Sequence, residues 1–261
     1  MGWSPLGAQF CLQLAFGVLL AMAFVPRAPV GAMFYRLMAT TALLPVALAI
    51  GMSLHAGSAR WSESWVVLGA VAALAYPFFA RVPRGPGWWV ALALALGGLG
   101  AALVVSIARS TAPMGGLAIL SGSLSALCTG AVAGSVGLAM VLGHWYLTVP
   151  KLEIAHLQRL NRLCAVCMVL SLVLLGVTCA VQAGAATVAG SPLETPRGLF
   201  HLGTRVTVGL LLPLLFAWMA ADSLRWRNTR SATGILYAST VLVLIGTGVA
   251  ISLQDAYGVP L

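Results

Sequence analysis

The sequence predicts an all-α fold: a polytopic membrane protein, a bundle of about eight transmembrane helices forming one integral domain, 1–261. Composition is the first observation behind this. Of the 261 residues, 61% are hydrophobic and only 7% charged, against roughly 25% charged in soluble domains. A water-facing surface cannot be covered with so few charges, so a soluble enzyme is excluded. The second observation is eight apolar runs of spanning length, which at about 20 residues each would use about 160 residues. The third is that basic residues concentrate in alternate loops, as short cytoplasmic loops require.

The first run, 9–26, follows a stretch from Met1 to Gln9 with no Lys or Arg. It lacks the basic start of a cleaved signal peptide and is expected to be retained. The second, 34–55, begins beside Arg36 and contains Pro45, and the third, 65–80, contains Pro77. The fourth, 88–107, opens on Trp88 and Trp89 after Arg84, a pair suited to the aromatic belt of the interface, as are Trp145 and Tyr146 near Lys151.

The fifth run, 116–147, is too long for a simple span, at roughly 48 Å of helix. It is expected to tilt, to project beyond the bilayer, or to break at a glycine. Gly122, Ala126, Gly130 and Gly134 recur every four residues along it. Such a stripe lets another helix backbone approach closely, which makes this the central packing helix. The sixth run, 163–186, follows a loop bearing Lys151, His156, Arg159 and Arg162; the seventh, 199–221, contains Pro213; the eighth is 232–253. Each internal proline removes a backbone hydrogen bond and tends to kink its helix.

Cys11, Cys128, Cys164, Cys167 and Cys179 are odd in number and lie in apolar runs, so they do not form a disulfide framework. Cys164 and Cys167 have redox-motif spacing, but no βαβ pattern surrounds them and no His follows. They read as small buried hydrophobes.

The net charge of +9 is mostly an orientation signal. Ten of the fourteen basic residues fall after odd-numbered spans: Arg27, Arg36, Arg81, Arg84, Lys151, Arg159, Arg162, Arg225, Arg227 and Arg230. Arg60, Arg109 and Arg197 fall on the other side, and Arg205 lies inside span seven. This split places both termini on the outer (periplasmic) side of what is expected to be a bacterial inner (cytoplasmic) membrane. The basic charge is scattered over short loops, so it suits anionic headgroups of the lipid bilayer rather than nucleic acid.

The halves 1–112 and 113–261 share landmarks. Val25-Pro26-Arg27 matches Val149-Pro150-Lys151, each followed by an Arg-Leu pair and a long apolar run that ends in His55-Ala56-Gly57 or Gln182-Ala183-Gly184. Four helices per half would make a 4+4 parallel repeat, as in some transporters.

Ionisable residues inside spans are costly and face an interior site or a partner. Here they are His55, His144, His201 and Arg205. His55 lies 19 residues beyond Arg36, about 28 Å along a helix, and His201 lies 21 residues before Asp222, about 31 Å. Both fall near the outer boundary of the hydrocarbon, with Pro45 and Pro213 at similar depths below them. That geometry predicts one haem b between His55 and His201 as axial ligands to the haem iron.

Arg205, four residues from His201, shares its helical face and would face a quinone, a negative group of the site, or a lipid headgroup. Gln9, Gln13, Gln182 and Asp255 add polar groups at the same edge, where a quinol needs a hydrogen-bonding partner and a proton acceptor. His144, with His156, would form a second, inner site. Two histidines about 13 residues apart on one helix, the pattern of stacked haems, are absent.

The functional expectation is an integral membrane electron-transfer subunit that binds haem b, a quinone or both near the outer face, inside a larger oxidoreductase complex with protein partners. Two alternatives stand beside it. One is a small-molecule transporter in which Arg205 meets an anionic substrate, although no acidic residue lies at the midplane to couple an ion. The other is a non-catalytic scaffold subunit. Phosphate-binding glycine loops, HExxH and nucleophile-elbow motifs are absent from the chain.

Overall fold

The computed structural model describes residues 3–25, 30–55, 64–79, 85–111, 116–149, 152–183 and 192–257. These are helical nearly throughout: α1 (Trp3–Met22), α2 (Ala32–His55), α3 (Ser64–Phe79), α4 (Pro86–Thr111), α5 (Gly116–Thr148), α6 (Ile154–Ala183), α7 (Pro196–Val206), a π-helical turn (Thr207–Leu211), α8 (Leu212–Arg225) and α9 (Thr229–Tyr257). Together α7, the turn and α8 form the expected seventh span. Among the described residues, seven segments are long and apolar enough to cross a membrane, the continuous stretch Pro196–Arg225 counting as one of them, and α3 is a shorter apolar helix. The chain is therefore a helical integral membrane bundle.

Three expectations about the elements are sharpened or corrected. The fifth run is an unbroken helix of 33 residues, so it extends rather than breaks at its glycines. The sixth helix starts nine residues earlier than the apolar run, at Ile154. Its first turns are amphipathic: Leu157 and Leu160 are fully buried while Arg159 and Arg162 are exposed. Hydropathy alone cannot register a helix whose cations reach out to the interface. In the seventh span, the disturbance expected at Pro213 lies just before it, as a wide turn in which the Leu212 N–H bonds to the Thr207 carbonyl. Because Pro213 supplies no N–H, a local π turn re-satisfies part of the ladder.

Close backbone contacts show which helices run together. A side-chain carbon added at Gly17 would collide with the Gly130 carbonyl, and one at Gly134 with Gly17. Gly130 abuts Gln13, so α1 and α5 climb in parallel and pack at the centre of the bundle. That is the role expected for the small-residue stripe.

Around this pair, α1 packs on α2 and α4, and α5 on α6 and α9; α3 packs on α4, and the α7–α8 span on α9. Gly69 meets Gly98 across α3 and α4, and Gly209 meets Gly246 across the π turn and α9. The start of α1 and the end of α9 share one end of the bundle, where the Gln9 amide donates to the Gln254 side-chain oxygen at 2.8 Å. We call this the termini end. Exposed Arg36, Arg159, Arg162, Arg225, Arg227 and Arg230 mark the opposite, basic end. Arg27, Arg60, Arg81, Arg84 and Lys151 lie outside the described residues.

The basic end is held by aromatic packing. Phe34 contacts Tyr35 and Trp145, and Trp88 contacts Tyr35, Tyr76 and Trp89. Trp88 is buried within this cluster while Trp89 is exposed, so only one of the expected belt pair faces outward. The Tyr35 hydroxyl donates to the Val25 carbonyl, fixing the α1–α2 corner.

Candidate functional site

The site begins with the anchoring of α7. Thr195 caps the helix, its hydroxyl accepting from the Gly198 N–H at 3.0 Å, and Pro196 follows with φ already suited to a first turn. The same hydroxyl lies 2.8 Å from the Tyr257 hydroxyl, which ties the start of α7 to the end of α9. Gly198 sits against Pro192 with no room for a side chain. From this fixed start, three turns of helix bring Arg205 into the interior, where the residue is fully buried.

The Arg205 guanidinium sits between α5 and α6. Its Nη2 donates to Thr129 Oγ1 and to Ser171 Oγ, each at 3.0 Å. Its stem runs beside Gly209, where an added carbon would lie 3.6 Å from Cδ and 3.5 Å from Nη1. The side chain is thus directed down the span, onto the π turn and away from His201. Gly209 lets the α9 backbone approach at Gly246, and the arginine stem passes beside it at ordinary contact distance. Nε and Nη1 of Arg205 have no hydrogen-bond partner.

Among the described residues no carboxylate pairs with Arg205, and the Cys128 thiol lies nearby, one residue before Thr129 on α5. Cys128 in turn lies 3.5 Å from the Cys167 carbonyl. A guanidinium with two idle donor nitrogens and no counter-charge in a low-dielectric interior is a strong receptor for an oxygen that is negative or becomes so.

The other expected site residues lie apart from this centre. His55 is exposed at the end of α2, which packs on α1 and α3, whereas His201 sits on α7, whose principal partner is α9. Equal depth did not make the two helices neighbours. His201 is half-buried and its Nδ1 is unpartnered; it lies one turn closer to the termini end than Arg205. His144 is exposed near the basic end, 3.3 Å from the Tyr237 hydroxyl, while His156 lies 3.8 Å from the Glu153 carboxylate. His144 and His156 thus face different neighbours, and His156 Nε2 makes no hydrogen bond. The side chain of Gln182 lies outside the described residues, Gln13 Oε1 and Asp255 Oδ1 are buried and unpaired, and no group of three or more His, Cys, Asp or Glu suited to a metal ion occurs among the described residues.

Thr129 and Ser171 were not anticipated from the sequence, since isolated hydroxyls in apolar runs usually bond their own helix. A usable signal exists on α5, where Ser121, Ser125 and Thr129 recur every fourth residue.

No protein-family model matches the chain, and neither a curated protein nor a solved structure is similar to it.

Proposed function

We propose that this chain is the membrane-integral subunit of an electron-transfer complex and that it receives a quinone headgroup at Arg205. The observation that carries the proposal is the fully buried guanidinium with Nε and Nη1 unpartnered. These N–H groups are placed to donate to a ring carbonyl oxygen and to stabilise the negative charge that reduction puts there. His201, with its free Nδ1 one turn toward the termini end, is the group on the same helix suited to exchange a proton with water. Haem b between His55 and His201 draws less support, because α2 and α7 pack on different neighbours.

The exposed arginines of the basic end favour its placement in the cytoplasm and both termini in the periplasm of a bacterial inner membrane. The matching neighbour order of the halves 1–112 and 113–261, each with a glycine contact between its third and fourth spans, supports the 4+4 repeat.

Extraction of the protein purified in mild detergent, followed by chromatography of the lipid phase, tests this. Close to one quinone per chain is expected. A chain that yields none, and whose tryptophan fluorescence is unchanged by added ubiquinone or menaquinone analogues, overturns it. A second reading, transport of a small organic anion, is favoured by the missing counter-charge; a carboxylate-dependent thermal shift that Arg205→Gln removes, in a protein without quinone, would select it.

A further inference from the structure

The surroundings of Arg205 differ sharply along the bundle axis. On the termini side, α5 presents Ser121, Ser125 and Thr129 one per turn, and α6 presents Ser171 and Thr178 two turns apart. Ser125, Thr129, Ser171 and Thr178 are all buried. Thr129 and Ser171 converge on one guanidinium nitrogen, so the two rows face a shared seam. On the basic side the same two helices bury Val132, Val136 and Ala139 on α5 and Leu160, Cys164 and Met168 on α6. The polar groups interrupting that stretch, Ser135 and Asn161, donate to the backbone carbonyls of Val132 and Ala217.

We infer that Arg205 is reached through a hydrated seam between α5 and α6 that opens only at the termini end and selects for anions. Three features combine to this. Hydroxyls at one-turn intervals can each hold a water as well as a backbone carbonyl. The guanidinium at the bottom keeps two donor nitrogens unsatisfied, which a water or an anionic group would fill. Below it the lining is mostly apolar: Ser135 bonds its own helix, and Asn161, whose Oδ1 is left without a partner, lies ten residues beyond Ser171 toward the basic end. A single cation at the closed end of a low-dielectric seam concentrates anions and repels cations. The route therefore supplies protons and water to the ring oxygen held by Arg205, and it rests on the reading of Arg205 as the ligand-holding group.

The test uses full-length protein in sealed membrane vesicles of both orientations, with the native cysteines replaced by Ala and single cysteines introduced as Ser125→Cys, Thr178→Cys and, as control, Val136→Cys. The probes are two water-soluble methanethiosulfonates, one bearing a sulfonate and one a trimethylammonium. Ser125→Cys and Thr178→Cys are expected to react on the order of tenfold faster than Val136→Cys, and only from the termini side. The sulfonate reagent should be preferred relative to its reaction with a free thiol, and Arg205→Gln should remove that preference. If the cysteine-free chain does not accumulate, the same increments are read over the native background.

Reaction no faster than at Val136→Cys, equal labelling from both sides, or indifference to charge overturns the inference. Labelling as expected in a protein without quinone leaves the route standing and removes the quinone, whereas quinone without labelling does the reverse.

Discussion

The two halves of the bundle use the same helix order for different ends. In the first half α2, α3 and α4 contribute, apart from the aromatic Tyr35, Tyr76 and Trp88, no buried polar side chain among the described residues, and α1 contributes Gln9 and Gln13. The second half contributes thirteen, among them Arg205. Both halves have a third span crossing its neighbour at a glycine pair, Gly69 with Gly98 and Gly209 with Gly246. In the first half that span is a regular helix, while in the second it widens into a π turn directly after Arg205. The halves pack alike around these glycine pairs, and the buried polar side chains are concentrated in the second. An aromatic cluster and apolar seams hold the first half, and the second half carries an incompletely satisfied charge.

The largest effect should come from the seam that joins the halves. Gly17→Val or Gly134→Val puts a side chain into the opposing backbone, and loss of about 3 kcal/mol or more is expected, read as failure of the purified chain to run as a single species in detergent. Normal accumulation of either variant would show that α1 and α5 are not in backbone contact.

Next, Gly69→Ala and Gly209→Ala sharpen the comparison directly. The added carbons would lie 2.6 Å from the Gly98 carbonyl carbon and 2.7 Å from Gly246 Cα, so each should cost about 1–3 kcal/mol by thermal unfolding. Only Gly209→Ala should also weaken ligand binding, since its clash with Gly246 falls on the π turn beside which the Arg205 stem lies. Equal binding by both variants would break the assignment of chemistry to the second half.

A smaller effect is expected at Asn161→Leu, which removes the 2.7 Å bond to the Ala217 carbonyl and should cost about 0.5–1.5 kcal/mol. Smaller still is Gln9→Leu, which ends the Gln254 pairing near the bilayer edge. A loss of roughly 0.6 kcal/mol is expected, with ligand binding unchanged.

The spans were legible because a bilayer demands about 20 apolar residues at a stretch, and the stripe Gly122, Ala126, Gly130 and Gly134 pointed to the central helix. Arg205 was legible as the one cation within a run. What escaped has physical reasons. The start of α6 carries charges that only a helix anchored at the interface tolerates, so the hydropathy pattern placed it in a loop. The π turn depends on how Pro213 is accommodated, which neighbours decide. The pairing of His55 with His201 rests on depth alone, which does not say which helices touch; α2 packs on α1 and α3, and α7 on α9. Thr129 and Ser171 became visible as partners only once α5, α6 and α7 met.

If Arg205 is kept for a ligand rather than for the fold, Arg205→Met should lose the ligand without losing stability. A buried charge without a counter-charge is expensive, and a well-packed apolar side chain of similar length is often neutral or stabilising in its place. The measurement is extractable quinone per chain alongside the unfolding temperature of wild type and Arg205→Met, both purified in the same detergent. The variant should lose its quinone while its unfolding temperature, compared after quinone has been stripped from both, is unchanged or higher. A variant that unfolds earlier and keeps the wild-type quinone content would contradict it, because Arg205 would then be a structural hydrogen-bonder to Thr129 and Ser171 and nothing more.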